Sequence, residues 1–511
     1  MPASVMKQSI KQASIIIALL TFSSQLIGLV REALLASFFG TSAEYDVLLV
    51  ALAIPMMFSA ILFMAIPSAG MPYLQQADVS AAGGSGSAKP RFIKTNTIII
   101  LAVSAAVFLF LPMLNKLLSG NLSESLLTNA TRYGRLFCLL IPMRGYEAVY
   151  RSLLHLRQHF AFPAATNLGF NIVMIALLLS LYPEFGSWAF IIGWLAGAAA
   201  QVLLVSIPSY IIYHAHKDRR QKGYFDSSAY TRFLGFIVLI EGLGLVIPPF
   251  DRYLASIFLE PGYVSAINYA ELVNSVPVRV FIYSIGTAIF PTLTERAAKG
   301  DLPGLARLYH KAIALCIMII VPIAVFSFVY RQEIIRLVLE RGRFVAQSRE
   351  ITVEILEYYF IGMLFLAAFF IQVKVLYALK KWRPLIAAKA ISFGAKAVIG
   401  FLFIKTNWAL AIGGGTIAML AGAFVILEIY LVLALKLHYS RDDLSLLARA
   451  SISAMVACLL LVATNLLLSG HLNNVLTMAI AGVICFVGLF VMDLKFKLTG
   501  INIIGRSGRA Q

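Results

Sequence analysis

The chain has 511 residues, of which 60% are hydrophobic and only 13% charged, and its mean hydropathy is +0.86. Soluble domains carry about 25% charged residues, so these proportions exclude a soluble globular protein and mark a polytopic membrane protein. The net charge of +18 does not point to nucleic acid, because the basic residues stand in short loops on alternate sides of successive apolar runs, as the positive-inside rule requires.

Apolar runs of roughly 20 residues or more predict about fourteen membrane helices, an all-α polytopic fold. The first, over residues 14–39, carries Ser14, Thr21, Ser24, Gln25, Gly28, Arg31 and Glu32 at intervals of three, four and seven, which is one helical face. Such a stripe does not face lipid, where each unpaired polar group costs a few kcal/mol or more. Arg31 lies about nine residues, or roughly 13 Å, inside the end marked by Gly40, a depth that makes it a functional-site candidate. Lys7 and Lys11 imitate a signal peptide, but the run is too long and no small-residue cleavage site follows, so this helix is expected to be retained. The later helices are expected over 46–73, 92–111, 128–154, 162–182, 187–213, 233–258, 263–291, 309–329, 351–375, 384–404, 408–436, 446–468 and 472–492. Prolines at 55, 72, 112, 142, 163, 208, 248, 249, 277, 291 and 322 are expected to break or end many of them. Cys138, Cys316, Cys458 and Cys485 fall inside apolar runs without paired spacing and read as small core residues.

Seven basic stretches fall on one face of this topology. They are the N-terminus, Lys89 to Lys94, Arg157, Lys217 to Lys222, Arg296 to Arg307, Lys380 to Arg383, and the tail with Lys495, Lys497, Arg506 and Arg509. That face is the cytoplasmic one, so both termini are expected there. The opposite loops are short, with Glu44, Glu124, Glu184 and Glu260. Residues 331–350, with five arginines among glutamates, are expected to form a structured external segment.

An internal repeat is visible. Ala36-Ser37 followed by Pro72 recurs as Ala255-Ser256 followed by Pro291, an offset of 219 that also sets Glu32 on Asp251 and Phe39 on Phe258. A second match at 221 sets Pro163 on Pro384. Six helices duplicated in the same orientation predict two pseudo-symmetric lobes around a central cavity, residues 1–222 and 223–440, with helices 13 and 14 and a basic tail over 441–511.

No Walker loop, HExxH, GxSxG or loop DxD is present, so covalent catalysis is not expected, and no cofactor or metal is implied. Charges within the apolar runs are more informative: Arg31, Glu32, Arg132, Arg135, Arg144, Glu241, Asp251, Arg252, Glu271, Arg279, Lys389, Lys396 and Glu428. Arg144 and Arg279 stand near the middle of their runs. One reading pairs either arginine with Glu271 or Glu241; the other places Arg31, Arg144 and Arg279 in a cationic cavity whose guanidinium forks suit phosphate oxygens. Arg132 and Arg135, near a helix end, fit a solvated role. Glu241 with Lys389 and Lys396 reads either as an ion-coupling set or as a fixed salt bridge.

Gly28-Leu29-Val30-Arg31-Glu32, then Phe39-Gly40, Asp46, Ala51 and Ile54-Pro55, resembles the first helical hairpin of the MurJ/MviN lipid II flippases, within the multidrug/oligosaccharidyl-lipid/polysaccharide exporter superfamily. Tyr269-Ala270-Glu271, Pro277 and Gly286-Thr287-Ala288-Ile289-Phe290-Pro291-Thr292-Leu293 resembles that family's eighth helix, and Phe160-Ala161-Phe162-Pro163-Ala164 with Asn171-Ile172 its fifth. The resemblance covers effectively the whole chain and matches the family's fourteen helices. It implies alternating access, arginines that hold the pyrophosphate of an undecaprenyl-linked saccharide, and a groove beside the last two helices for the lipid tail. Arg31 and Asp46 carry over. The family's other arginines are replaced here by Gln25, Ser59, Ala60 and Leu272, and Arg279, two turns beyond Leu272, and Arg144 are the residues expected to restore positive charge.

The substrate-binding set expected from both arguments is Arg31, Arg144, Arg279, Asp46, Gln25, Ser24 and Glu271. The activity expected is transfer of a lipid II-like precursor to the outer leaflet of the bacterial cytoplasmic membrane, driven by membrane potential or a monovalent cation. The protein is expected to act as a monomer associated with cell-envelope synthesis machinery. An exopolysaccharide, capsule or O-antigen repeat-unit lipid remains an open alternative, as does a cation-coupled exporter of small amphiphiles, which would need an apolar or acidic cavity.

Overall fold

The computed structural model describes residues 10–79, 88–119, 124–157, 159–215, 225–469 and 471–496. Expectations resting on Lys7, on Lys217 to Lys222 and on Lys497, Arg506 and Arg509 lie outside those residues. Within them the chain is all helix, with no strand, as composition predicts.

The helices in order are α1 (Ile10–Phe39), α2 (Ala43–Val79), α3 (Ala88–Ser119), α4 (Glu124–Phe137), α5 (Leu140–Leu156), α6 (Ala161–Phe185), α7 (Ser187–Ala215), α8 (Ser227–Leu245) and α9 (Ile247–Phe258). They continue as α10 (Tyr263–Pro277), α11 (Tyr283–Ala298), α12 (Leu302–Val329), α13 (Arg331–Val338), α14 (Ala346–Ala378), α15 (Trp382–Phe403), α16 (Gly415–Ile429), α17 (Arg441–Leu468) and α18 (Asn474–Phe496). Three one-turn π segments interrupt this series, at Val278–Ile282, Leu410–Gly414 and Tyr430–Ala434. Among the described residues, twelve helical stretches are long and apolar enough to cross a membrane. Two more, α4 with α5 and α10 with α11, are interrupted and carry the charges Arg132, Arg135, Arg144, Glu271 and Arg279, an arrangement compatible with the expected fourteen.

The prolines act differently from expectation. α2 runs on through Pro55, Pro67 and Pro72, α3 through Pro112, α7 through Pro208 and α12 through Pro322. Proline costs one ladder bond, and neighbouring helices in a membrane bundle tolerate that loss. The breaks fall at Pro142, Pro248-Pro249 and Pro277. Pro142 cannot donate to the Cys138 carbonyl, which instead takes the Ile141 amide at 3.1 Å, and α4 stops there.

The chain forms two compact units. The first comprises Met1–Ala266 with Arg341–Ser348, and the second Ile267–Glu340 with Arg349–Gln511. In the first unit α2 packs on α5, α8, α4 and α3 around Ile54, Leu62, Phe92, Ile141 and Leu153. An aromatic knot closes one end, where Tyr230 donates to Asn96 Oδ1 at 2.7 Å with its ring against Phe92 and Phe225. In the second unit α12, α17 and α18 pack around Ala457, Leu461, Ala481 and Cys485.

The expected structured segment at 331–350 is found as α13 plus a turn. Arg343 N donates to the Ser37 carbonyl at 2.8 Å, and Thr41 and Ser348 share a 2.7 Å hydroxyl contact. Gly342, at φ +57°, permits this approach, since a Cβ there would stand 2.4 Å from the Ser37 oxygen.

Candidate functional site

Arg31 meets α6. The periodicity of α1 puts Ser24, Gly28 and Arg31 on one face, and that face packs on α6 as the stripe requires. Arg31 Nη1 donates to Asn171 Oδ1 at 2.9 Å, Nη2 pairs with Glu32, and the guanidinium lies over the rings of Phe170 and Trp194, 5.3 and 5.5 Å from their centroids. Asn171 in turn donates to the Ser24 carbonyl at 3.0 Å. Gly28 gives Asn171 its room, for a Cβ at 28 would stand 3.3 Å from Asn171 Nδ2. Among the described residues Arg31 Nε is buried without a hydrogen-bond partner, which leaves a donor to spare.

Arg144 and Arg151 grip one carboxylate. Glu147 is fully buried on α5, with Arg144 Nη1 2.6 Å from Oε2 and Arg151 Nη2 2.9 Å from Oε1. Both guanidinium groups lie over Phe63, at 3.9 and 4.5 Å from its centroid. Spacings of three and four residues put all three charges on one helical face. Arg144 Nη1 also donates to Gln201 Oε1 at 3.0 Å, Gln201 to Asn167 Oδ1 at 3.0 Å, and Arg151 to Thr166 at 3.1 Å and the Pro163 carbonyl at 3.3 Å. Asn167 and Asn171 are one turn apart on α6, so a polar track runs from Arg31 to Arg151 along one helix. Arg31 and Glu32 cancel, two arginines exceed Glu147 by one, and the track carries one net positive charge. Asn167 is exposed. In a membrane helix an exposed amide belongs in water rather than lipid.

The expected neutralisation of Arg144 by Glu271 or Glu241 is therefore corrected: its carboxylate is Glu147, three residues away on its own helix. Asp46 is a helix cap. Only 5% exposed, it accepts from Gly262 N at 2.5 Å, from Ser265 N at 2.7 Å and from the Ser265 hydroxyl, holding the first turn of α10. Asp46 and Ser265 stand 219 residues apart, the offset of the repeat, so an acceptor in one copy caps a helix in the other. Gln25 is half-buried on α1.

In the second unit Arg279 is exposed on the π segment Val278–Ile282, and Glu271 is half-buried on α10. Lys374, which depth along the sequence does not single out, lies over Phe290 and Phe370 at 5.3 and 4.8 Å. Lys396 is fully buried, its ammonium held by the Ile412 carbonyl at 3.1 Å and Thr416 Oγ1 at 2.6 Å. That carbonyl belongs to the π segment Leu410–Gly414. Lys389 and, in the first unit, Glu241 are half-buried. α17 and α18 flank an apolar groove of about 380 Å³, lined by Val456, Leu460, Val483, Ile484, Val487 and Gly488.

The sequence matches the family described as "Lipid II flippase MurJ" over residues 35–483. The chain belongs to that family. Arg144 and Arg279 lie inside the matched stretch and Arg31 just before it. The probable lipid II flippase MurJ of Borreliella burgdorferi is 24% identical over 360 residues, 70% of each chain, and that of Thermotoga maritima 23% over 497 residues, 94% of this chain and 95% of the relative. A solved lipid II flippase MurJ in an inward closed conformation superposes with a TM-score of 0.76 at 20% identity, covering 96% of this chain and all of that one. An inward-facing multidrug resistance MATE transporter gives 0.62 at 12% identity, over 84% of this chain and 98% of its own. These likenesses fix the fold, and MurJ membership makes the chain a multi-pass membrane protein of a transporter family.

Proposed function

We propose that this chain flips an undecaprenyl-pyrophosphate-linked saccharide, lipid II first, from the inner to the outer leaflet of the bacterial cytoplasmic membrane by alternating access of two repeated halves, residues 1–222 and 223–440. The single observation that carries the reading is the Arg144–Glu147–Arg151 cluster, a buried carboxylate gripped by two guanidinium groups inside a membrane unit, with an exposed amide at the end of its hydrogen-bonded track. A diphosphate carries more charge than Glu147 and presents several oxygens to guanidinium forks, so it can recruit the outer edges of Arg144 and Arg151. Arg31 offers its spare donor from the same track. Arg279, exposed on a membrane helix, belongs in a water-filled space rather than in lipid. The apolar groove of α17 and α18 suits a polyprenyl tail. Asp46 is assigned no contact with cargo, because its oxygens are committed to α10.

The basic loops on one face of the topology support a cytoplasmic location for both termini. Energy is drawn from the membrane potential or a monovalent cation, with no cofactor, and the protein works as a monomer beside the cell-envelope synthesis machinery. A second cargo, an exopolysaccharide repeat-unit lipid, is favoured by one observation: Gln25, Ser59, Ala60 and Leu272 stand where the resembling family has arginines, and Ser59 is fully buried with its hydroxyl on the Met56 carbonyl. Depletion of the protein tests both. Lysis with lipid II accumulating in the inner leaflet is the expected result, whereas viable cells lacking only a surface polysaccharide would transfer the reading to the second cargo.

A further inference from the structure

A buried charge lies between two membrane helices of the second unit, on Lys396. α15 buries Leu385, Ala388, Ser392, Lys396 and Gly400, positions three or four apart that form one helical face, and Ser392 and Gly400, a turn to either side of the lysine, are small. That face meets α16 at two glycines. A Cβ at Gly415 would stand 3.4 Å from Lys396 Cγ and from the Lys396 carbonyl, and one at Gly422 would stand 3.3 Å from Ser392 Oγ. A seam this narrow suits glycine and serine. It nevertheless encloses a fully buried lysine, seven residues or about 10 Å from the end of α15 at Phe403.

Two oxygens of α16 and its π segment stand at the ammonium. Nζ lies 3.1 Å from the Ile412 carbonyl and 2.6 Å from Thr416 Oγ. The Thr416 hydroxyl gives its hydrogen to the same carbonyl at 2.8 Å, so both oxygens turn lone pairs to Nζ. Ile412 stands in the π segment Leu410–Gly414, one of two that bracket α16, where regular helical pairing is broken. Carbonyls of interrupted membrane helices serve transporters as ligands for sodium ions. A third oxygen on the seam is unused: Ser392 Oγ is buried and, among the described residues, has no hydrogen-bond partner. Thr416 is only half-buried, so the site has an edge from which an ion could enter.

Tying α15 to α16 does not require a lysine. A serine or glutamine reaches a carbonyl across a glycine-lined seam, whereas a charge inside the bilayer is the most expensive donor available. What lysine adds is a positive charge on a tether of four methylenes.

We propose that the Lys396 ammonium is a built-in monovalent cation: it fills an oxygen site between α15 and α16 of the kind that binds Na+ or K+, so that the chain takes neither ion from solution. This rests on reading the chain as a flippase, and of the two energy sources in that reading it selects the membrane potential. The positive charge at the seam is then constant through the transport cycle, with no ion to load or release.

Full-length protein purified in detergent, with N-methylglucamine as the buffer cation, provides the test. The wild type should melt at the same temperature in N-methylglucamine, sodium and potassium chloride of equal ionic strength. K396A removes the ammonium and leaves the oxygens. It should melt lower in N-methylglucamine and recover with ethylammonium, Na+ or K+, its melting temperature rising with the logarithm of cation concentration once the site begins to fill. K396M fills the same volume with an apolar chain and should not respond. K396A unmoved by all three cations, or K396M responding equally, overturns the proposal. If K396A gives no folded protein in N-methylglucamine, its yield on extraction into ethylammonium or sodium chloride decides instead, and no recovery in either overturns the proposal. In liposomes under an imposed membrane potential, the wild type should flip labelled lipid II at the same rate with sodium or with N-methylglucamine, and a sodium requirement overturns the proposal too. Liposomes in which lipid II moves in neither medium would sink the cargo reading, while the melting arm, which needs no cargo, still decides the cation site.

Discussion

Replacing Glu147 with glutamine should destabilise the protein more than any other single isosteric change in the first unit. The wild-type cluster holds two positive charges against one negative, with contacts of 2.6 and 2.9 Å to a carboxylate that water does not reach. Removing one member of a buried ion pair costs about 3–5 kcal/mol, because the survivor stays desolvated and unpaired. Here the two survivors are 16% and 19% exposed, and each keeps other partners, Gln201 for Arg144 and Thr166 with the Pro163 carbonyl for Arg151. Solvent and those partners reduce the loss, so about 2–4 kcal/mol is expected for Glu147→Gln. Glu147→Ala should lie at the top of that range, since it also leaves a cavity. The diagnostic variant is the double one. Glu147→Gln with Arg151→Gln restores the original excess of one positive charge, and it should unfold at a higher temperature than Glu147→Gln alone. Thermal unfolding of the purified full-length protein in detergent measures all three. A Glu147→Gln protein as stable as the wild type, or a double variant in which the two losses simply add, would refute the claim that this carboxylate holds the arginines together.

Asp46→Ala should cost about 1–2 kcal/mol through the lost cap of α10, with Asp46→Asn milder, both read by thermal unfolding. Gly342→Ala places a Cβ 2.4 Å from the Ser37 carbonyl at a positive φ, so the 341–348 turn should detach from α1 and become sensitive to added protease in right-side-out or inverted vesicles. Gly28→Ala needs Asn171 to yield only a few tenths of an ångström and should be nearly silent, whereas Gly28→Val should displace Asn171 from Arg31 and reduce transport at unchanged membrane abundance. Equal activity of the two Gly28 variants would dissociate Asn171 from the function of Arg31.

What could be read from the chain, and what could not, divides along local and non-local physics. Helix 1 declares its buried face, because a polar stripe at helical spacing has only one side to lie on, and Ser24, Gly28 and Arg31 all meet α6. The fourth and eighth apolar runs declare themselves by their charges, and they are the two that fall short of a plain membrane span. Glu147 and Arg151 were equally available, three and seven residues from Arg144, but ranking charges by depth in the membrane passes over the i, i+3 and i, i+4 spacing that pairs them. Asp46 illustrates the opposite limit. Nothing in its own neighbourhood says that a helix more than two hundred residues later needs an acceptor, and only the repeat offset hints at Ser265. The prolines mislead for a reason specific to membranes, since each removes one ladder bond and crowds the preceding turn, but neighbouring helices and local 3₁₀ or π adjustments re-satisfy the freed carbonyl and let the helix run on.

The same division explains where the uncommitted chemistry sits. Arg144, Arg151 and Lys396 have their charges answered within a few residues or by one neighbouring helix, and such sites are stable wherever the rest of the molecule goes. Glu428 is answered by groups from α12, α14 and the turn before α17, so its hydrogen bonds cannot be kept if any of those elements moves. A charge whose partners are spread over several helices is coupled to their relative position by necessity.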